Sequence, residues 1–268
     1  SVRKTFQFRL YPTKPQLRKM ESTLEGCRYV FNQTLALRKD AWEKDKENIT
    51  LYECSSCLTM WKDHKEELYD IHSQVLQNVQ QRVDLAFKAF FRRCKAGEKP
   101  GYPRFKGKGR YDSFTFPQSG FKLKGSKLTL SKIGDIKIIN HREIEGKIKT
   151  LTIRKTSTGK WFACFSCEIE KDVVTQPIDN SIGIDLGLST FATFSNGESI
   201  PRQRFFKEYE KKLAKASRKR ELQEKGSKAR SKAKLVESKI HERVANLRKD
   251  FAHKHSLKLV RSFDLICL

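Results

Sequence analysis

No apolar run in this chain approaches the roughly 20 residues that a bilayer-crossing helix needs; the longest, near the C-terminus, is only a few residues. Arg3 and Lys4 open the chain, but no apolar core follows them as a secretory signal requires. Cysteine is sparse and odd in number, seven in 268 residues, in a chain too long to depend on disulfide staples. These residues read as reduced thiols of a cytoplasmic protein. Apolar residues are also few for the length, 37% against 32% charged, although 18 Phe carry enough area each to build a core. The scarcest class is acid. Asp and Glu number 31 against 56 Lys and Arg, a net +25, and that excess points to a polyanionic partner.

The charge is unevenly placed. Residues 90–160 carry a net +14 and residues 202–255 a net +12, whereas residues 161–201 carry a net −5. Two basic blocks therefore flank an acidic segment, as in a nuclease whose basic walls hold phosphates around an acidic metal pocket.

Along the chain, residues 2–11 alternate, with Phe6, Phe8 and Leu10 on one face, and predict a half-buried strand. Thr13-Lys14-Pro15-Gln16 fits a capping box, and Leu17, Met20, Leu24, Cys27, Phe31 and Leu35 predict a helix running to about Trp42, followed by a loop. Residues 73–94 predict a second helix, with Ser73 as a candidate cap and Ser73, Gln74 and Gln77 in its first turns. Such side chains either touch phosphates and base edges or simply cap and solvate. From Phe91 to Tyr111 the chain is basic, aromatic and rich in turn formers: Arg92, Arg93, Tyr102, Arg104, Phe105, Lys106, Lys108 and Arg110. This is either a nucleic-acid-binding loop or a mobile solvated one.

Residues 114–116, 127–130, 133–139, 147–155 and 161–169 then predict five strands of an antiparallel sheet curling into a small barrel, with residues 2–11 a further member and residues 14–96 a helical insertion. Beyond Pro177, residues 181–193 predict two short strands around a turn, and Glu198 to Pro201 a third. Residues 205–255 read as a basic helical region broken at Gly226; Lys207 to Lys234 alone carries 12 basic and 4 acidic side chains, including Lys211, Lys212, Arg218, Lys219 and Arg220. The run from Ser262 to Leu268 reads as a buried strand.

Asp185 lies between the apolar Ile184 and Leu186, with Gly183 and Gly187 expected to keep space clear for a ligand or another backbone. An acid in an apolar strand is costly unless it pairs or holds a metal. Asp185 either caps the following turn or is the first metal-binding carboxylate of a ribonuclease-H-like sheet. Cys54-Ser55-Ser56-Cys57 with His64 and His72 is a weak zinc candidate, because structural zinc sites need four ligands at tighter spacing. Cys164 and Cys167, three apart on a predicted strand, face opposite ways and cannot share a metal. No zinc is expected.

Several motifs together resemble the TnpB family, the OrfB-type RNA-guided DNA nucleases of insertion sequences. They are Phe8-Arg9-Leu10-Tyr11-Pro12-Thr13, Ser73-Gln74-Val75-Leu76-Gln77, Ala86-Phe87-Lys88-Ala89-Phe90-Phe91-Arg92, Gly101-Tyr102-Pro103-Arg104-Phe105-Lys106, Gly183-Ile184-Asp185-Leu186-Gly187 and His241 to Lys254, in that order. The resemblance implies an α+β multidomain protein: a wedge-like antiparallel β-barrel (residues 1–13 and 97–176) interrupted by a helical recognition insertion (14–96), then a ribonuclease-H-like (RuvC) α/β domain (177–268), here incomplete. It implies that Ser73, Gln74 and Gln77 face the duplex motif beside the target, that the basic loop and barrel grip guide RNA, that the helix after Gly197 lines the RNA–DNA hybrid, and that Asp185 is the first catalytic, Mg²⁺-binding aspartate. It also implies guide RNA and target DNA as partners and a prokaryotic cytoplasm.

In the family, a glutamate directly follows the strand ending here at Leu268, and a zinc ribbon and a last catalytic aspartate come later. The chain thus reads as a C-terminally truncated member with an incomplete Mg²⁺ site that does not cut DNA by itself. The alternative is a non-cleaving RNA- and DNA-binding protein acting by occupancy. An actin-like ATPase also carries an Ile-Asp-Leu-Gly-type phosphate loop, but no later Gly-rich nucleotide loop follows here.

Overall fold

A computed structural model describes residues 1–170 and 177–268. The expected boundary at residues 176 and 177, and the last residues of the 97–176 segment, lie outside the described residues. The chain forms two compact units, Ser1–Lys171 and Asp172–Leu268.

The first unit runs β1 (Val2–Tyr11), α1 (Lys14–Asp45), α2 (Leu51–His64), a 3-10 turn (Glu66–Asp70), α3 (Ser73–Lys95), then β2 (Ser113–Phe116), β3 (Phe121–Lys124), β4 (Lys127–Leu130), β5 (Gly134–Ile139), β6 (Lys147–Lys155) and β7 (Trp161–Ile169). The strands form one sheet in the order β2-β6-β7-β1-β5-β4-β3. β1 therefore sits at the centre, antiparallel to β7 on one side and β5 on the other. The two edge strands, β2 and β3, are joined by only residues 117–120, so the sheet must curl until its edges meet. The result is a nearly closed barrel. Its period-two interior holds Phe6, Phe8, Phe114, Phe116, Leu128, Ile136, Leu151, Trp161 and Phe165, all buried. Gly146, at the start of β6, has a positive φ, and an added Cβ would lie 2.3 Å from the Glu168 carbonyl on β7. Only glycine fits there.

The helices between β1 and β2 pack on the same core. The predicted capping box is present: the Thr13 side chain accepts from the Gln16 N–H while Gln16 accepts from the Thr13 N–H. α1 runs to Asp45, beyond the expected Trp42, and ends on Lys46 in a left-handed conformation. α2 was not expected, although Thr50 and Glu53 form a second capping box and Cys54, Leu58 and Trp61 make its buried stripe. Ser73 does not cap α3. His72 occupies that position without a side-chain cap bond, and the Ser73 hydroxyl accepts from Lys62 Nζ at 3.1 Å. α3 buries the polar Gln80 and Asp84 together with Val75, Leu76, Val79, Val83 and Phe87.

Asp84 joins α3 to α1. Its carboxylate accepts from Arg38 at 3.0 Å and from Lys88 at 2.9 Å, and the Arg38 guanidinium also covers the Phe87 ring at 4.4 Å. Burial pushes the Asp84 carboxyl up, but the bonds from Lys88 and Arg38 outweigh it and hold it below the ordinary range. Asp84→Ala, which strands a buried guanidinium, is expected to cost about 3 kcal/mol at neutral pH in a denaturant titration. A lowered folded-state value means that this stability is present above the unfolded value near pH 4 and is lost as pH falls through the folded value. The gap between wild type and variant should therefore close in acid; a gap constant with pH would refute the charge pairing.

The second unit runs β8 (Ser181–Asp185), β9 (Thr190–Phe194), β10 (Ser199–Pro201), α4 (Phe205–Glu221), α5 (Lys228–Ser262) and β11 (Leu265–Cys267). Its sheet has the order β10-β9-β8-β11, with β8 antiparallel to β9 and parallel to β11. α4 and α5 form a hairpin broken around Gly226, with Ser227 capping α5. Arg220 of α4 bonds the buried Glu237 of α5 at 2.8 Å. Arg230 donates to the Arg220 and Gln223 carbonyls, satisfying the end of α4. Phe251 packs edge-on against Phe191 and Phe205, fastening α5 to the sheet. The C-terminal run is not the buried strand expected. β11 is the edge of its sheet, with Leu265 39% and Leu268 92% exposed, because among the described residues no layer covers that edge.

Candidate nucleic-acid interface and carboxylate site

Three polar surfaces and one acid carry the residues singled out from the sequence. On the first unit, Gln74, Gln77, Asn78 and Gln81 share one face of α3. With Leu51 and Ser55 of α2 and Pro117 and Gln118 of the β2–β3 turn, they line a cleft of about 260 Å³. Two of the amides are oriented by their neighbours. Gln74 Oε1 accepts from the Ser119 N–H and hydroxyl, at 3.2 and 3.0 Å. Asn78 Oδ1 accepts from Arg82 Nε at 3.2 Å. Gln74 is thereby left with its NH₂ group to offer, the kind of donor that reads base acceptors, whereas Asn78 Nδ2 already donates to Gln81 Oε1 at 3.4 Å. Arg82 also ties α3 to the barrel, donating to the Ser113 carbonyl at 2.9 Å and Thr115 Oγ1 at 2.7 Å. Ser73 stands beside this cleft but does not line it. Asn78, Gln81 and Gln118 were missed; the i, i+4 spacing from Gln74 and Gln77 could have found the first two, and only the fold brings in Gln118.

The basic loop is built rather than loose. Tyr102 packs edge-on against Phe87 and Phe90, with ring centroids 5.6 and 5.3 Å away. The Asn32 side chain grips the Lys106 backbone both ways: the Lys106 N–H donates to Oδ1 at 2.8 Å, and Nδ2 donates to the carbonyl at 3.0 Å. Arg92, Arg93, Arg104, Lys108 and Arg110 are exposed around these pins.

On the second unit, Lys211, Lys215, Arg218 and Lys219 lie on one face of α4 with Glu210, Ala214 and Leu222, along a groove of about 710 Å³. Lys212 lies off this face, its ammonium 5.5 Å from the Tyr209 ring. Arg220 is engaged in the α4–α5 pairing. Arg220→Gln is therefore expected to lower the melting temperature of the chain, and Lys219→Gln to leave it unchanged within error. Equal effects would contradict the structural role of Arg220.

Asp185 ends β8, is exposed, and pairs in register with Thr193. Neither flanking glycine faces open space: a side chain lies beside Gly183 and backbone beside Gly187. An added Cβ at Gly183 would meet Ser195, whose hydroxyl accepts from the Gly183 N–H at 3.0 Å, and one at Gly187 would lie 3.0 Å from the Thr190 carbonyl. The other nearby acid, Asp264, serves the backbone, accepting from the Asp179 and Asn180 N–H groups at 3.3 and 3.1 Å. In the β8–β11 register Asp264 is level with Asn180, five residues or about 16 Å from Asp185. Among the described residues no three His, Cys, Asp or Glu side chains converge as a metal site. One exposed carboxylate does not fit the needs of Mg²⁺, so the residues present do not build its site.

The candidate zinc thiols have other surroundings. Burial pushes the Cys54 thiol up to about 11, away from the thiolate that zinc needs, and the Cys57 thiol donates to the Glu53 carbonyl. Elemental analysis of the purified chain should find no stoichiometric zinc; one tightly held zinc lost in Cys54→Ser would overturn this.

An α+β protein with a near-closed antiparallel barrel, a helical insertion and a second βα unit, strongly basic on both, is thus defined. Residues 164–267 match a family profile described as a probable transposase, that of the OrfB proteins of IS605-type elements, and residues 2–47 match one described as a helix-turn-helix domain. The latter segment folds as β1 and one 32-residue helix. A relative from Escherichia coli (strain K12), provisionally named RNA-guided DNA endonuclease InsQ, is 32% identical over 98% of this chain and 65% of its own length. One from Streptomyces pristinaespiralis, provisionally named an RNA-guided DNA endonuclease, is 30% identical over 100% of this chain and 66% of its own length. Among solved structures, a Cas12f1–sgRNA–target DNA complex aligns over 96% of this chain and 69% of that one, at 13% identity and a TM-score of 0.38. The chain belongs to the OrfB (TnpB) family and spans about two thirds of the length of these two curated relatives. Among the described residues no helix is long and apolar enough to cross a membrane.

Proposed function

We propose that this polypeptide binds a guide RNA and the DNA it specifies, and that Asp185 is the first carboxylate of a RuvC-like metal centre that the residues present do not complete. The observation that carries the binding is the loop pinned by Asn32 and Tyr102 with its arginines and lysines exposed, together with the basic face of α4. Such surfaces hold phosphates, and the charge of the chain suits a long polyanion. The amide cleft on α3 supplies what phosphate contacts lack, a means of reading base edges, and is assigned to the duplex motif beside the target. In the second unit, three antiparallel strands are followed by helices and a fourth strand parallel to the first. This supports a ribonuclease-H-like core with Asp185 at the end of its first strand. The β8–β11 register, which runs to Cys267 opposite Gly183, supports this: counted on by two residues, the position at which the family resemblance puts a glutamate would stand level with Asp185.

The test is binding of a candidate guide RNA, and of target duplex in its presence, measured by fluorescence anisotropy. Tight RNA binding, with duplex binding that depends on RNA, supports the reading. Tight binding of a nucleoside triphosphate with none of RNA would sink it.

A further inference from the structure

Three rings of residues 91–111 are exposed, Phe91 (51%), Tyr102 (42%) and Phe105 (52%), and of these Phe105 alone packs against no other ring. Tyr102 sits in the Phe87 and Phe90 rings, and Tyr111 is 8% exposed against Phe31, its hydroxyl accepting from Arg82 at 3.3 Å. Midway, the Lys106 backbone is clamped by Asn32, and its carbonyl also accepts from Arg28 Nη1 at 3.1 Å. Arg28 is in turn held by the Glu25 carboxylate, whose Oε2 accepts from Arg28 Nε at 2.9 Å. Phe105 is the residue immediately before this clamp, yet its side chain is 52% exposed, between Arg104 and Lys106. The clamp fixes the backbone next to Phe105, and no neighbouring ring packs on its phenyl group. A pre-ordered backbone that presents a ring among cations is what base stacking requires, because ordering the loop beforehand removes an entropic cost from binding.

We propose that Phe105 is a stacking finger for an unpaired base of bound nucleic acid, and that Asn32 is the positioning residue that aims it. This rests on the nucleic-acid reading above and deepens it. The ligand is single-stranded, because a base inside a duplex has both faces covered and opening a base step costs a few kcal/mol. Arg104, Lys108 and Arg110 supply the phosphate contacts on either side.

The probes are a fluorescein-labelled 20-nucleotide oligoadenylate RNA and a 20-base-pair duplex, bound to the full chain. Phe105→Ala should weaken RNA binding roughly 5- to 100-fold, leave the duplex within about twofold, and leave the salt slope unchanged, since stacking releases no counterions. Phe105→Trp should restore binding. Asn32→Ala should produce a similar loss, and the Asn32→Ala/Phe105→Ala double variant should bind no more weakly than Phe105→Ala alone, a non-additivity that a separate structural role would not give. Should Asn32→Ala fail to fold, Asn32→Asp, which keeps the acceptor for the Lys106 N–H, takes its place. If Phe105→Ala binds RNA like wild type while Arg104→Gln/Lys108→Gln does not, the finger is refuted and the nucleic-acid reading stands. If neither variant changes binding, the loop is not an interface, and both the finger and that part of the reading fall.

Discussion

Guide-RNA binding by this chain is expected to weaken by about 10³- to 10⁵-fold between 50 and 200 mM salt. That is the loss for on the order of six to ten phosphate contacts, each releasing condensed counterions. The number of contacts follows from two basic blocks of net +14 and +12, residues 90–160 and 202–255. Much of that charge is presented rather than paired: the loop is anchored through its backbone and Tyr102, leaving Arg104, Lys108 and Arg110 outward, and Lys211, Lys215, Arg218 and Lys219 share one face of α4. Replacing Lys211, Lys215, Arg218 and Lys219 together with Gln should weaken binding and lower the slope of log affinity against log salt by roughly 3 to 4. Arg220 is kept out of this set because its loss would break the bond to the buried Glu237 and confuse unfolding with weaker binding. An unchanged slope would mean that α4 is only a solvated face.

The second large effect is an absence of DNA cutting. With guide RNA, target duplex and Mg²⁺, the chain is expected to show no cleavage above that of Asp185→Ala, and both proteins should retain RNA binding. Two-metal hydrolysis needs several carboxylates around ions about 3.5–4 Å apart, so that both the attacking and the leaving oxygen are held. Asp185 supplies one. Asp264 cannot supply another, because the β8–β11 register holds it level with Asn180 and its carboxylate already accepts two backbone N–H groups. Cleavage by the wild-type chain that disappears in Asp185→Ala would contradict this and would require a second carboxylate from elsewhere, including from another polypeptide.

Much of the fold was legible because its signals are local. Alternation in Phe6, Phe8 and Leu10 and in the strands from Phe114 onward marks faces whose burial the barrel needs, and the Thr13 capping box appears where the residue types require it. β3 has no such signal: it is four residues long at a sheet edge, with Phe121 and Leu123 only half-buried. α2 carries only a short stripe, with Cys54, Leu58 and Trp61 its buried residues in 14, too little periodicity to mark a helix locally. The apolar composition of β11 does not distinguish an edge strand, which it is, from a buried central one. The candidate site divides in the same way. Asp185 and the basic blocks can be read from residue type. The roles of Arg220 as a helix-pairing group, of Asn32 as a clamp on Lys106 and of Gln118 beside the α3 amides depend on contacts between distant parts of the chain, which no local pattern encodes.

Ultraviolet crosslinking of the purified chain to guide RNA, with the attached peptides identified by mass spectrometry, will show whether the basic loop and α4 hold the RNA. Crosslinks are expected in residues 98–111, Phe105 foremost, and in residues 205–221, all lost at high salt. Crosslinks absent from both segments, or concentrated on the β11 edge and unaffected by salt, would contradict this.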